Sequence, residues 1–160
     1  MTAFPPTTLG ALPGELDGAP AAETGRTPLA APPAPLPGES GRARTILVVE
    51  DDPEVRALFV SFLAHAGYHV IESPNGADAM DLVSRHGLHI DLLLTDVVMP
   101  RAGGPTLAAA LAVRQPSMKV IYISGFPPVA DQPRGIVSVQ LRKPVARSTL
   151  LEQVAALIGR

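Results

Sequence analysis

Glu50-Asp51-Asp52, Asp96, Ser124 and Lys143 are the residues whose types could do chemistry together. Carboxylates crowded into one partly desolvated site repel one another strongly. A divalent cation relieves that repulsion, and hard oxygen ligands suit Mg2+. A lysine ammonium and a serine hydroxyl beside it can hold the oxygens of a phosphoryl group. An aspartate in such a setting can attack phosphorus and form an aspartyl phosphate. A site of this kind accepts a phosphoryl group mainly by positioning and charge neutralisation. Taken singly the residues say less. An acidic pair after a strand is commonly a helix cap plus a solvated charge, which is the main reading for Asp52. Ser124 before Gly125 alone would be a turn residue, and Lys143 alone an exposed cation. Their joint placement carries the inference.

That placement depends on the elements between them. Ile46–Val49 is a short β-branched apolar run that ends at the acidic triplet. Beyond it, Val55, Leu58, Phe59, Phe62 and Leu63 fall at helical spacing, with Pro53 in the first turn and Asp52 as N-cap. Gly67 ends this helix, Tyr68–Ile71 reads as a second strand, and Asn75 caps a helix carrying Ala79, Met80 and Val83. Ile90–Thr95 is a buried strand ending in Asp96. Pro105 opens a third helix with Leu107 and Leu111 inward. Lys119–Ile123 and Ile136–Leu141 are the fourth and fifth strands. A last helix from about Ser148 turns Leu150, Leu151, Val154, Leu157 and Ile158 inward. Strands apolar almost throughout, alternating with helices, signal a parallel sheet covered on both faces. The expected fold is α/β and doubly wound, with the chemistry at the carboxyl ends of the strands. The triplet, Asp96, Ser124 and Lys143 all fall on that rim.

Composition bounds the function. The chain of 160 residues is 46% hydrophobic, enough for a core, and its net charge of -2 offers no general attraction to nucleic acid or anionic membrane. Lys119 and Lys143 are its two lysines, which makes a lysine in a motif more informative. Cysteine is absent, so disulfides and thiolate metal sites are excluded. No apolar run approaches the roughly 18 residues of a membrane span, and no secretory signal opens the chain, so a cytoplasmic protein is expected. Residues 1–42 hold nine of the 18 prolines without periodic hydrophobicity and read as a disordered tail, leaving 43–160 as the domain. His65, His69, His86 and His89 lack metal-ligand spacing and read as partly exposed structural residues.

In order and spacing, ILVVEDD at 46–52, LLTDVVMP at 93–100, IYISG at 121–125 and LRKP at 141–144 resemble the receiver domains of two-component signalling, most of all those attached to, or partnering, hybrid histidine kinases. The resemblance covers about residues 44–160. It implies the CheY-like, flavodoxin-type sheet of five parallel strands in the order 2-1-3-4-5. It also implies that Asp96 accepts a phosphoryl group from a histidine kinase or histidine phosphotransfer protein. Asp51 and Asp96 would bind Mg2+ directly, Glu50 through a water, and Val98 through its carbonyl. Lys143 and Ser124 would hold the phosphoryl group, and Pro144 would follow a cis peptide bond.

Some positions depart from that pattern. The residue three before the lysine, commonly an aromatic that moves with the serine, is Gln140. The stretch from Ser124 to Lys143 is short and holds Pro127, Pro128, Pro133 and Gly135, so the family's fourth helix is expected to be shortened or irregular. Val98 and Phe126, beside the site, are apolar and cannot orient a hydrolytic water, so a long-lived phosphoryl group is expected. The chain ends soon after the last helix, which points to a switch module without an output domain, acting on a protein partner of unknown identity. The alternative is a constitutive interaction domain whose switch is degraded. A phosphohydrolase is disfavoured, because the place of its second aspartate is Val98. A DNA-binding regulator lacks a recognition helix.

Overall fold

A computed structural model describes residues 42–100, 102–125 and 135–159. Strands β1 (Thr45–Val49), β2 (His69–Ser73), β3 (Leu92–Asp96), β4 (Lys119–Ser124) and β5 (Ser138–Arg142) alternate with helices α1 (Pro53–His65), α2 (Gly76–His86) and α3 (Gly104–Arg114) up to β4, and α4 (Arg147–Ile158) closes the described chain. All strand pairs are parallel, in the order β2-β1-β3-β4-β5. This is the doubly wound, CheY-like arrangement.

The apolar strands explain the layering, because successive side chains in a strand point to opposite faces. Leu47, Val49, Leu93, Val120 and Tyr122 face α2 and α3, where they meet Ala79, Val83, Leu107 and Leu111. Ile46, Val48, Leu92, Leu94, Ile121 and Ile123 face α1 and α4, against Phe59, Leu63, Leu150 and Val154. Each face therefore has its own core, and the central strands have no polar side.

Helix ends are set by local chemistry. The Asp52 carboxylate accepts from the amides of Glu54 (2.9 Å) and Val55 (3.1 Å), capping α1 with Pro53 at its start. The Asn75 side chain accepts from the Asp78 amide at 2.9 Å and caps α2, which stops at Gly87 in the left-handed region (φ 58°).

Two details differ from the periodic reading. Leu58, on the expected inner face of α1, is 48% exposed, because the helix turns Phe59 and Leu63 to the sheet. Strand β5 begins at Ser138, two residues later than expected, and is half-buried along most of its length. The expected tail over residues 1–42 lies outside the described residues except at Arg42. Residues 126–134, which include Phe126 and most of the expected irregular helix, also lie outside them.

The helices run antiparallel to the strands, so helix C-termini gather at the amino ends of the strands. All four histidines lie at that end: His65 and His86 close α1 and α2, His69 opens β2, and His89 precedes β3. Arg42, Arg44, Arg114 and Lys119 share it. The opposite rim carries Glu50, Asp51, Asp52, Glu54 and Asp96, with Arg56 and Lys143 among them. Glu54 and Asp78 in the first turns of α1 and α2, and His65, Arg85 and His86 in their last turns, follow the helix macrodipoles, which favour anions at N-termini and cations at C-termini.

Candidate functional site: an acidic pocket at the strand ends

Glu50, Asp51 and Asp96 come together where β1 and β3 end, with one carboxylate oxygen from each lying within 4.8 Å of the other two. They are graded in burial. Glu50 is 2% exposed, Asp96 half-buried and Asp51 open to solvent. Lys143 enters from the loop after β5. Its ammonium donates to Asp96 Oδ2 at 2.5 Å and to both Glu50 oxygens, at 3.0 and 3.2 Å. The other Asp96 oxygen accepts from the Val98 amide at 2.9 Å, so the carboxylate is held at both ends. Burial pushes the Lys143 pKa down, but the bonds and charges of Asp96 and Glu50 outweigh it and hold the ammonium above its ordinary value. Burial is also the largest influence on Glu50 and raises its carboxyl above the usual 4.5, with Lys143 offsetting part of the effect.

One ammonium against three carboxylates leaves an excess of negative charge, and Asp51 has no cationic partner among the described residues. A hard, all-oxygen donor set with that excess fits a divalent cation such as Mg2+.

Ser124 ends β4, buried beside the pocket, and its carbonyl accepts from the Lys143 amide at 2.9 Å. The serine and the lysine therefore belong to one backbone rung between β4 and the end of β5. The Lys143–Pro144 bond is cis. Val98 lies 60% exposed at the mouth of the pocket. Gln140 sits half-buried on β5, across from Tyr122 in register. Asp52 points away into its capping role.

Two contributors were not legible beforehand. Gly104, at the start of α3, packs against the end of β3. A Cβ there would meet Thr95 Cγ2 at 2.8 Å and the Asp96 carbonyl closer still, so α3 can approach the site only on a glycine. Arg56 reaches from the first turn of α1 to the Glu50 carbonyl, its Nη1 donating at 2.8 Å, while its Nε donates to Glu72 at 3.2 Å. Nothing in one sequence distinguishes this arginine from the other ten, because its acceptor is a backbone atom.

A doubly wound sheet with this acidic pocket and lysine at its rim defines a receiver-type module. The family model of the response regulator receiver domain matches residues 46–155, and the chain belongs to that family. The response regulator receiver protein CpdR of Brucella abortus (strain 2308) is 40% identical over 90 residues, covering 56% of this chain and 73% of that protein. The sensor kinase CckA of the same organism is 40% identical over 87 residues, covering 54% of this chain but only 9% of the kinase. Among solved structures, the receiver domain of the hybrid histidine kinase CckA is 34% identical with a TM-score of 0.62, covering 71% of this chain and 98% of that one.

Proposed function

We propose that Asp96 accepts a phosphoryl group from a phosphohistidine on a histidine kinase or histidine phosphotransfer protein. The module then signals by protein–protein binding. An Asp96 oxygen forms the new bond to phosphorus, the phosphorus–nitrogen bond breaks, and the imidazole leaves with the electron pair. The observation that carries this reading is the Asp96 carboxylate, aimed by the Val98 amide and touched by Lys143, beside two further acids. Glu50, Asp51, Asp96 and the Val98 carbonyl would hold Mg2+, which supplies charge neutralisation for the incoming oxygens. The Lys143 ammonium already neutralises the nucleophile and can follow negative charge onto the phosphoryl group. Ser124, whose carbonyl accepts from the Lys143 amide, would bring its hydroxyl to the same phosphoryl group.

The test is phosphorylation by a small-molecule phosphodonor with and without Mg2+, read by intact mass on the full chain and on Asp96→Asn. One added phosphoryl that needs both Mg2+ and Asp96 supports the proposal. A folded chain that gains none, or gains it equally in the variant, defeats it.

Gln140 favours a second reading. The β5 position where the family commonly has a mobile aromatic holds an amide, so the module could bind its partner regardless of phosphorylation. Equal partner affinity for the phosphorylated chain and for Asp96→Asn would select that reading.

A further inference from the structure

We propose that Arg56 is a positioning residue of the acidic pocket. It would pin the peptide between Glu50 and Asp51 so that their carboxylates are presented together to a cation. The inference rests on the reading of the pocket as a Mg2+ site.

Glu50 lies one residue beyond the last rungs of both ladders of β1, Val49–Ser73 with β2 and Val49–Thr95 with β3. Among the described residues no backbone amide donates to its carbonyl, although the residue is almost fully buried. A buried carbonyl needs a donor. Among the described residues that donor is the Arg56 guanidinium, at 2.8 Å. On the other side the Glu50 amide donates to the Ser73 carbonyl at a long 3.3 Å. The shorter and charge-assisted bond from Arg56 is thus the stronger of the two restraints on this backbone. The peptide it fixes joins two of the three clustered acids, so a rotation there would move both carboxylates.

Arg56 is suited to the task. Its side chain is 18% exposed, and Glu72 takes the outward edge of the guanidinium. The planar fork can serve a carbonyl and a carboxylate at once, which a lysine cannot reproduce. Glu72 is itself more than half exposed, so its ion pair adds little beyond orientation.

Two physical effects oppose one another, and their signs separate the possibilities. A guanidinium near a cation site repels the cation, so removing a purely electrostatic arginine tightens Mg2+ binding. Removing a positioning arginine loosens it, because the ligands lose their arrangement.

The experiment measures the Mg2+ dissociation constant by calorimetry for the full chain, Arg56→Met, Arg56→Lys and Glu72→Gln. Urea unfolding tracks the fold, and the phosphodonor rate is recorded at saturating Mg2+. We expect Arg56→Met to weaken Mg2+ binding on the order of tenfold, Arg56→Lys to recover part of the loss, and Glu72→Gln to stay close to wild type. The rate at saturating Mg2+ should change less than the affinity. Unchanged or tighter Mg2+ binding in Arg56→Met overturns the proposal, even if the wild type is phosphorylated at Asp96. If Arg56→Met does not fold, Arg56→Lys binding Mg2+ as tightly as wild type overturns it. A wild-type chain that binds no Mg2+ overturns both this inference and the reading beneath it.

Discussion

Tyr122 is fully buried in the core between the sheet and helices α2 and α3, yet its hydroxyl has no hydrogen-bond partner among the described residues. A buried hydroxyl left in this state costs about 1–3 kcal/mol relative to water. Tyr122→Phe removes the hydroxyl and keeps the ring, so it should be neutral or up to about 1 kcal/mol more stable in urea unfolding. Clear destabilisation would show that the hydroxyl finds a partner in solution. Burial also pushes the phenol from 10.0 up to about 12. The folded chain therefore keeps this proton after an unfolded chain has lost it, and stability falls as pH rises from 10 towards 12. The phenylalanine variant should show a shallower decline over that window, measured by denaturation midpoints at stepped pH. The acids of the pocket were legible at this scale because each terminates an apolar run. Arg56, Gly104 and the Tyr122 hydroxyl were not, since their meaning lies in what they touch across the fold.

At the scale of elements, the strand–helix alternation and the parallel order could be read from hydrophobic runs and punctuation by Gly, Pro and Asn. Strand β5 was the least well placed. Its apolar run begins at Ile136, but Ile136 packs on the core outside the ladder and pairing starts only at Ser138. Periodicity reports burial, and burial and strand pairing part company there. Leu58 failed for a related reason. A five-residue apolar set on α1 is wider than the stripe the sheet can cover, and the helix leaves one member outside. Asp52 succeeded because capping is local chemistry. Asp52→Ala should cost about 0.5–2 kcal/mol through loss of the two cap bonds, while leaving Mg2+ affinity near that of wild type. A large fall in Mg2+ affinity would instead move Asp52 into the pocket.

At the scale of the whole molecule, Asp91 holds the amino end of the sheet together. It is 7% exposed by side chain and pairs with Arg42 at 3.1 Å, Arg44 at 3.2 Å and the Thr45 amide at 2.8 Å, with His89 at 3.6 Å. Burial acts to raise its pKa, but the amide and the two arginines together hold it below the usual 3.8. Its contribution is therefore present above that value and lost as pH falls below it through the folded-state pKa. Asp91→Asn should cost about 1–3 kcal/mol at neutral pH. The gap from wild type should close in acid below 3.8, and a gap constant across that range would contradict the assignment. Among the described residues, all four histidines lie at the amino end of the sheet and the Glu50, Asp51 and Asp96 cluster at the other, an uneven distribution with a colloidal consequence. Unevenly placed charge attracts other molecules end to end in dilute buffer, and screening over about 10 Å at 0.1 M ionic strength weakens that attraction.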